Sequence, residues 1–275
     1  MERVILIPKE RVLPEVHTLD SQILNAYKDR IGSYNKSARK VLDVFSDRKG
    51  DLAGSNCFAP LKLREFLPMG TRLATMADLG RATEISPGFL RGFYSNTGLT
   101  LRTAGDSYKE RDFLAKDLAN QLKKRGITLA SPKIIYFDAL DLRKSQDSVY
   151  GLAYDLSERA ELGENIIDAS ELMNDMIFKT MNEKGIPIMD NKGYRTLHTR
   201  KDGLSEFCLG GLLDVSSSDR DLAVSYINGR VVVVSTEGTR ADFNAYLAKL
   251  QKTRDEEVAV LQERYAKAEA ILRGK

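Results

Sequence analysis

The sequence predicts an α+β protein in which a middle region of short strands and irregular loops is flanked by two long terminal helices. In both terminal regions, apolar residues recur every three or four positions, which is the spacing of an amphipathic helix. Between residues 51 and 236, glycine, serine, aspartate and asparagine are frequent and the apolar runs are short. That composition is typical of short strands joined by loops.

The N-terminal region, residues 1–55, begins with a predicted strand over 4–7 that ends at Pro8. Beyond His17, the apolar spacing predicts one long helix over 24–45. Gly32 weakens a helix by about 1 kcal/mol relative to alanine, but the apolar stripe continues beyond it. The residues of the stripe are Leu24, Tyr27, Ile31, Tyr34, Ala38, Val41 and Phe45.

The middle region shows helical periodicity only twice, over 76–85 and over 112–125, where Gly126 supplies a stop. Short β-branched or apolar runs predict antiparallel strands between loops. These runs lie at 98–103, 133–137, 150–154 and 230–235. The runs at 186–189 and 194–197 flank a turn at 190–193, which predicts a hairpin.

The C-terminal region, residues 237–275, is rich in alanine, glutamate, lysine, leucine and arginine and contains no proline. Its apolar residues recur every three or four positions, which predicts a second long helix. They include Val258, Leu261, Tyr265, Ala268 and Leu272. Two helices with matching stripes are expected to bury each other. They would do so within one chain, as a hairpin, or between subunits, as an oligomerisation stalk, so a monomer and a small oligomer are both open.

Composition disfavours several classes of function. The net charge is +3 and no strongly basic block is present, so we expect no nucleic-acid ligand. No apolar run approaches the roughly 20 residues that cross a bilayer, and the N-terminus does not have the pattern of a secretory signal. We therefore expect no membrane span and a cytoplasmic or virion-associated protein.

Cysteine and histidine usage disfavours metal, cofactor and enzyme chemistry. Cys57 and Cys208 lie far apart and without the spacing of metal ligands; whether they pair is left open. His17 and His198 have no patterned nucleophile nearby. We therefore expect a protein that is not an enzyme and has no metal and no cofactor.

Residues 203–235 are the most unusual part of the sequence. An apolar skeleton that can be buried is formed by Leu204, Phe207, Leu209, Leu213 and Leu222. Between these positions stand side chains of unrelated chemistry, namely Cys208, Gly210, Gly211, Ser217, Ser218, Asp219, Val224, Tyr226, Ile227 and Asn228. The segment ends in a β-branched run of four valines, residues 231–234. Neither a packed core nor a catalytic loop requires such a mixture.

This segment resembles the variable segment of proteins diversified by archaeal and viral diversity-generating retroelements. In those systems, a reverse transcriptase copies a template with errors at adenines, so that asparagine codons change to a restricted set of residues. All ten side chains named above belong to that set, whereas Glu206 does not and is assigned to the framework. The resemblance implies that these ten residues form a hypervariable ligand-binding site.

A second resemblance lies at residues 70–79, Gly-Thr-Arg-Leu-Ala-Thr-Met-Ala-Asp-Leu. This run is similar to the entry into the first helix of C-type lectin folds of the formylglycine-generating-enzyme type, without the usual nearby tryptophan. From the residues alone, it is a strand leading into a helix with Thr75 as the N-cap. The resemblance implies a C-type-lectin-like domain over 56–236 that contains the variable segment 203–235.

Together these resemblances imply a ligand-binding protein whose site is carried by a stable scaffold. Among the possible ligands, another protein is favoured. The alternatives are a structural or attachment protein of a virus or virus-like element and a plain loop system of a β-domain. Asp214, Asp219 and Asp221 could hold calcium, but the lectin calcium tripeptides are absent and a solvated loop is expected. We expect the ten side chains to share one exposed face, with Tyr226 as the largest, and strand 230–235 to be buried in the domain sheet.

Overall fold

The computed structural model describes residues 5–6, 15–106, 112–158, 162–163, 176–200, 202–218, 221–235 and 262. Two sheets organise these residues. The larger has eight strands, in the spatial order β10 (Leu162–Gly163), β7 (Lys133–Tyr136), β6 (Ser95–Leu101), β14 (Leu204–Leu209), β15 (Val215–Ser217), β13 (Arg195–Thr199), β11 (Met176–Met181) and β12 (Pro187–Met189). All neighbouring pairs are antiparallel except β13 and β15, which are parallel.

The second sheet brings the beginning and the end of the described chain together. Its order is β1 (Ile5–Leu6), β2 (Glu15–Thr18), β16 (Val232–Ser235) and β5 (Thr71–Leu73), all antiparallel. Strand β16 lies between β2 and β5, and its three valines are buried. The predicted burial of the strand near 230–235 is therefore confirmed, with the strand itself limited to residues 232–235. Central placement also removes the aggregation hazard of an exposed valine run.

Two small hairpin sheets complete the strands: β3 (Phe45–Ser46) with β4 (Leu52–Ala53), and β8 (Leu140–Lys144) with β9 (Leu152–Leu156). The described residues form five short α-helices: α1 (Leu24–Ile31), α2 (Lys36–Leu42), α3 (Ala59–Leu63), α4 (Met76–Ile85) and α5 (Phe113–Lys124). Three single turns of 3₁₀-helix lie at Ser21–Ile23, Arg64–Phe66 and Phe137–Ala139. None of the described helices is long and apolar enough to span a bilayer.

The predicted fold class, a C-type-lectin-like α+β domain flanked by two long helices, is wrong. The described chain is rich in strands, and the predicted helix over 24–45 is two short helices. Helix α1 ends at Ile31, and α2 begins only after Asn35, whose side chain accepts a hydrogen bond from the backbone N–H of Ala38 (2.8 Å). The predicted C-terminal helix, residues 237–275, and its pairing with the first lie outside the described residues, apart from Gln262.

Apolar residues recur every three or four positions on both sides of the break between α1 and α2, because both short helices pack against the same core. Tyr27 and Ile31 from α1 and Ala38 and Val41 from α2 are all buried in one core cluster. This spacing therefore indicated the buried face correctly but not the continuity of the helix. Phe45, the last member of the predicted stripe, belongs to strand β3.

Helices α4 and α5 confirm the predictions over 76–85 and 112–125. The predicted hairpin at 186–197 is wrong, because β12 and β13 do not pair with each other. Both pair with β11, one on each side: Phe178 lies opposite Met189 and opposite Arg195. The turn at 190–193 therefore crosses β11 near Phe178, and the Asp190 backbone N–H donates to the Ile177 carbonyl (3.0 Å).

The entry into α4 is held by a buried carboxylate. The Thr75 side chain caps the helix as predicted, and Asp78 Oδ2 accepts from the Thr75 backbone N–H (2.9 Å) and from Arg72 Nη1 (2.6 Å). Arg81 Nη2 donates to Asp78 Oδ1 (2.9 Å). Burial alone would raise the pKa of Asp78, but the hydrogen bonds and charge of Arg72, with the hydrogen bonds of Thr75, outweigh it and hold that pKa below its usual value. This motif thus fixes a helix start within the scaffold.

Candidate ligand-binding surface

The ten residues predicted to form the site differ widely in exposure. Tyr226, Ile227 and Asn228 are exposed, whereas Gly210, Gly211, Ser218 and Val224 are partly buried. Cys208 and Ser217 are fully buried. Asp219 lies outside the described residues.

Cys208 and Ser217 belong to the core, so the prediction that they are exposed is wrong. Strands β14 and β15, which carry them, lie in the interior of the eight-stranded sheet. Ser217 Oγ accepts a hydrogen bond from Nη2 of the buried Arg102 (3.1 Å). Cys57 is buried as well; burial raises the pKa of its thiol, and the charge of Glu206 raises it further. Neither Cys208 nor Ser217 can contact a ligand at the surface.

The exposed loop at residues 226–228 has a backbone anchored from within. The Tyr226 backbone N–H donates to the Tyr94 hydroxyl (2.9 Å), and the Tyr94 backbone N–H donates to the Asn228 carbonyl (3.0 Å). The buried Tyr94 ring also lies edge-on to Tyr226, with 6.4 Å between the ring centroids. Residues 226–228 therefore present their side chains to solvent while buried groups hold their main chain.

Arg230 secures the same loop from its C-terminal side. Its Nη1 donates to the carbonyls of Ile227 (2.8 Å) and Gly229 (2.9 Å), and its Nη2 donates to the Asp47 carboxylate. The guanidinium lies 4.2 Å from the centre of the Phe93 ring. The side chains of Arg230 and Asp47 are only 3% and 11% exposed, so this ion pair is largely removed from water.

A second loop, residues 210–214, joins β14 to β15. It is closed by hydrogen bonds from Gly210 N–H to the Asp214 carbonyl (2.7 Å) and from Leu213 N–H to the Gly210 carbonyl (2.9 Å). Leu213 has a φ of 68°, a left-handed conformation that is costly for a residue other than glycine. Arg195 Nε, from β13, donates to the Leu213 carbonyl (2.6 Å) and so supports the strained turn.

The two loops meet through residues 91–93. The Gly92 backbone N–H donates to the Gly211 carbonyl (2.8 Å), while Phe93 stacks on Arg230 beneath the other loop. A Cβ at Gly211 would lie 3.2 Å from the Gly92 carbonyl carbon, so the two chains pack closely. We call the exposed side chains that these segments carry, Arg91, Leu212, Tyr226, Ile227 and Asn228, the display surface.

The display surface combines apolar area with one positive charge. Leu212, Ile227 and Tyr226 are 78%, 67% and 55% exposed. Single exposed apolar side chains are ordinary. Three of them on neighbouring loops with anchored backbones are typical of an interaction surface, in which aromatic and apolar residues carry most of the binding energy.

The structure therefore brings together five of the ten predicted residues: Gly210, Gly211, Tyr226, Ile227 and Asn228. Ser218 lies at the other end of β15, where its hydroxyl is 2.8 Å from that of Ser216. Val224 lines a cavity next to α2. Residues 208–228 therefore do not form the single exposed face that was expected. Only part of them lies at one surface, which residues 91–94 support.

Sequence reasoning missed the residues that hold these loops, namely Tyr94, Arg195, Asp47 and the side chain of Arg230. Arg230 was assigned only to the beginning of a strand. The sequence did contain one signal. Arg230 directly precedes four valines that are expected to be buried, so its side chain is expected to be buried as well and to need a charged partner. Its partner Asp47 lies 183 residues earlier, so no local pattern identifies it.

In comparisons with protein-family models, curated proteins and solved structures, nothing matched the chain.

Proposed function

We propose that this protein binds another protein through the display surface. One observation carries the proposal: the side chains of residues 226–228 are exposed, while their main chain is held by the buried Tyr94 and Arg230. A surface that is already ordered loses little conformational entropy when it binds. Tyr226 supplies a large amphipathic anchor at low entropic cost, as tyrosine does in antibody loops.

A protein ligand fits this surface better than a small molecule. The display-surface residues do not line the cavity next to α2, whose walls include Lys40, Val149 and Val224. Small-molecule sites are concave and bury most of their ligand, whereas protein partners bind through exposed anchors surrounded by polar residues. Asn228 and Arg91 supply polar groups beside the apolar side chains.

We also propose, following the retroelement resemblance, that the gene is diversified at this surface. Gly210, Gly211, Tyr226, Ile227 and Asn228 belong to the residues that adenine-directed mutagenesis of asparagine codons can produce. Skeleton residues that neighbour them in the sequence, such as Leu209 and Leu222, are buried. A changing site is compatible with a stable fold only when the core is built from other side chains.

The diversification hypothesis is tested in the DNA beside the gene. We expect a near-repeat of the codons for 203–235, with adenines in the codons for 210, 211 and 226–228, next to a reverse transcriptase gene. Sequenced copies of the gene from one population should differ most at 210 and 226–228, and less at 211, where a Cβ would lie 3.2 Å from the Gly92 carbonyl carbon. Copies that vary evenly along the chain, or a locus with no repeat, would contradict diversification while leaving the binding proposal intact.

The alternative, a structural or attachment protein, depended on assembly through two long terminal helices. The first of these is two short helices, and the second lies outside the described residues. Nothing in the described chain favours that alternative over binding.

The binding proposal is tested with two exposed isoleucines on different parts of the chain. Full-length protein carrying Ile227→Asp, or the matched control Ile188→Asp on β12, is immobilised and exposed to extract from the source cells. We expect wild type and the Ile188→Asp control to retain the same discrete protein, and Ile227→Asp to retain it at least about tenfold more weakly, since a buried charge opposes binding. Equal retention by both variants, or equal loss in both, would refute the display surface as the binding site.

A further inference from the structure

Asn228, on the display surface, is the only asparagine in the sequence that is followed by a glycine. In an Asn-Gly pair, the glycine nitrogen can attack the side-chain amide of the asparagine. A residue without a Cβ leaves that nitrogen unhindered and its peptide group free to turn. The Asn228 side chain is exposed, so water reaches it. The pair therefore has the groups that an asparagine needs to modify itself.

Packing requires the glycine of this pair. Gly229 is buried, and a Cβ there would lie 2.6 Å from the Ser55 backbone nitrogen and 2.8 Å from the Tyr94 hydroxyl oxygen. Both distances are shorter than a carbon atom tolerates in a close-packed interior. A larger residue at 229 would push the loop away from Tyr94, so the fold cannot remove the reactive pair by replacing its glycine.

Hydrogen bonds hold both sides of the peptide group between Asn228 and Gly229. The Gly229 N–H donates to the Tyr226 carbonyl (2.9 Å). On the other side, the Asn228 carbonyl accepts from the Tyr94 backbone N–H (3.0 Å). The Gly229 carbonyl, one residue on, accepts from Arg230 Nη1 (2.9 Å). The Gly229 nitrogen must turn out of this arrangement to reach the side-chain amide carbon, so these bonds have to break before the reaction.

We propose that Asn228 is a latent modification site, which stays asparagine while its main chain is held and is converted when the main chain is released. The Gly229 nitrogen then forms a bond to the amide carbon of the Asn228 side chain. The amide nitrogen of that side chain leaves as ammonia with the proton that the Gly229 nitrogen gives up, and a five-membered succinimide ring remains. Water opens the ring. Attack at the side-chain carbonyl gives aspartate, and attack at the main-chain carbonyl gives isoaspartate.

The product changes the charge of the display surface. Arg91 is the one charged side chain among the five residues of that surface, and either product adds a carboxylate to it. The reaction depends only on the geometry of the loop and on water. It does not rest on the proposed function.

The first experiment compares the conversion rate in the full-length protein with the rate in an unstructured reference. The reference is a synthetic peptide of residues 221–230, acetylated and amidated at its ends and incubated beside the protein near neutral pH. Trypsin cleaves after Arg220 and Arg230, so it releases the same ten residues from the protein for chromatography and mass spectrometry. We expect Asn228 to convert at least about tenfold more slowly in the protein, because only the opened loop reacts. A smaller difference would overturn the proposal.

A second experiment loosens the loop by one oxygen atom. Tyr94→Phe removes the hydroxyl that accepts from the Tyr226 N–H (2.9 Å) and donates to the Ser55 carbonyl (2.8 Å). We expect this variant to convert Asn228 at least about threefold faster than wild type, since fewer hydrogen bonds oppose opening.

Tyr136→Phe is the matched control. It removes a hydroxyl that donates to the Lys184 carbonyl (2.9 Å), which is not among the groups that hold the loop, so the conversion rate should equal that of wild type. A Tyr94→Phe rate no higher than the Tyr136→Phe rate would overturn the proposal. The comparison of wild type with the peptide decides the matter if Tyr94→Phe does not fold. Because no partner takes part in these reactions, their outcome and that of the Ile227→Asp experiment are independent.

Discussion

Arg230→Ala is expected to lower the free energy of unfolding by about 3–5 kcal/mol, the cost of breaking a buried ion pair by removing one partner. The change leaves the Asp47 carboxylate with little access to water and without its arginine. It also removes the two hydrogen bonds to the carbonyls of Ile227 and Gly229, and the contact with Phe93. Urea unfolding monitored by circular dichroism measures the loss.

Two other variants separate the ion pair from general effects of removing an arginine. Arg91→Ala removes an exposed arginine from the same surface and should change the stability by no more than about 0.5 kcal/mol. Arg230→Lys keeps the charge but loses the fork of donors, so it should recover only part of the stability. If Arg230→Ala costs no more than Arg91→Ala, the loop is not held in the way described.

Leu209→Ala should cost about 2–5 kcal/mol, the range for deleting most of a buried leucine side chain. Leu209 is fully buried at the end of β14, where it pairs with Ser95 and with Val215 on the neighbouring strands. Leu212→Ala, three residues later, is the matched control; this leucine is 78% exposed, and the change should stay within about 0.5 kcal/mol. Thermal or urea unfolding of the two variants gives the comparison. Similar losses at both positions would show that the loop side chains belong to the core.

Local signals predicted the parts of the fold that depend on local interactions. Helix α4 was predicted because its apolar residues recur at helical spacing after the N-cap Thr75, and α5 because its apolar stripe stops before Gly126, which has a φ of 75°. The break between α1 and α2 was also signalled locally, by Gly32 and the N-cap Asn35, but the continuing apolar rhythm masked it. The spacing of apolar residues indicates which face of a helix is buried. Two consecutive helices that pack on one core can show the same spacing.

Strand neighbours could not be predicted in the same way. A short turn between 186–189 and 194–197 predicts a hairpin, yet β11 lies between β12 and β13 because long-range packing decides the order of strands. Cys208 and Ser217 were misplaced for a related reason. In a strand covered on both faces, every position is buried, so polar or small side chains there do not indicate exposure.

The central claim is that the scaffold holds its shape independently of the side chains on the display surface. The most direct test is the unfolding free energy of one triple variant, Tyr226→Ser, Ile227→Ser and Asn228→Ser, measured beside wild type and Leu209→Ala. We expect the triple variant to fold and to lose no more than about 1.5 kcal/mol, since each is a surface change of about 0.5 kcal/mol or less. Leu209→Ala alone should lose more. A triple variant that unfolds, or that loses more stability than Leu209→Ala, would contradict the claim.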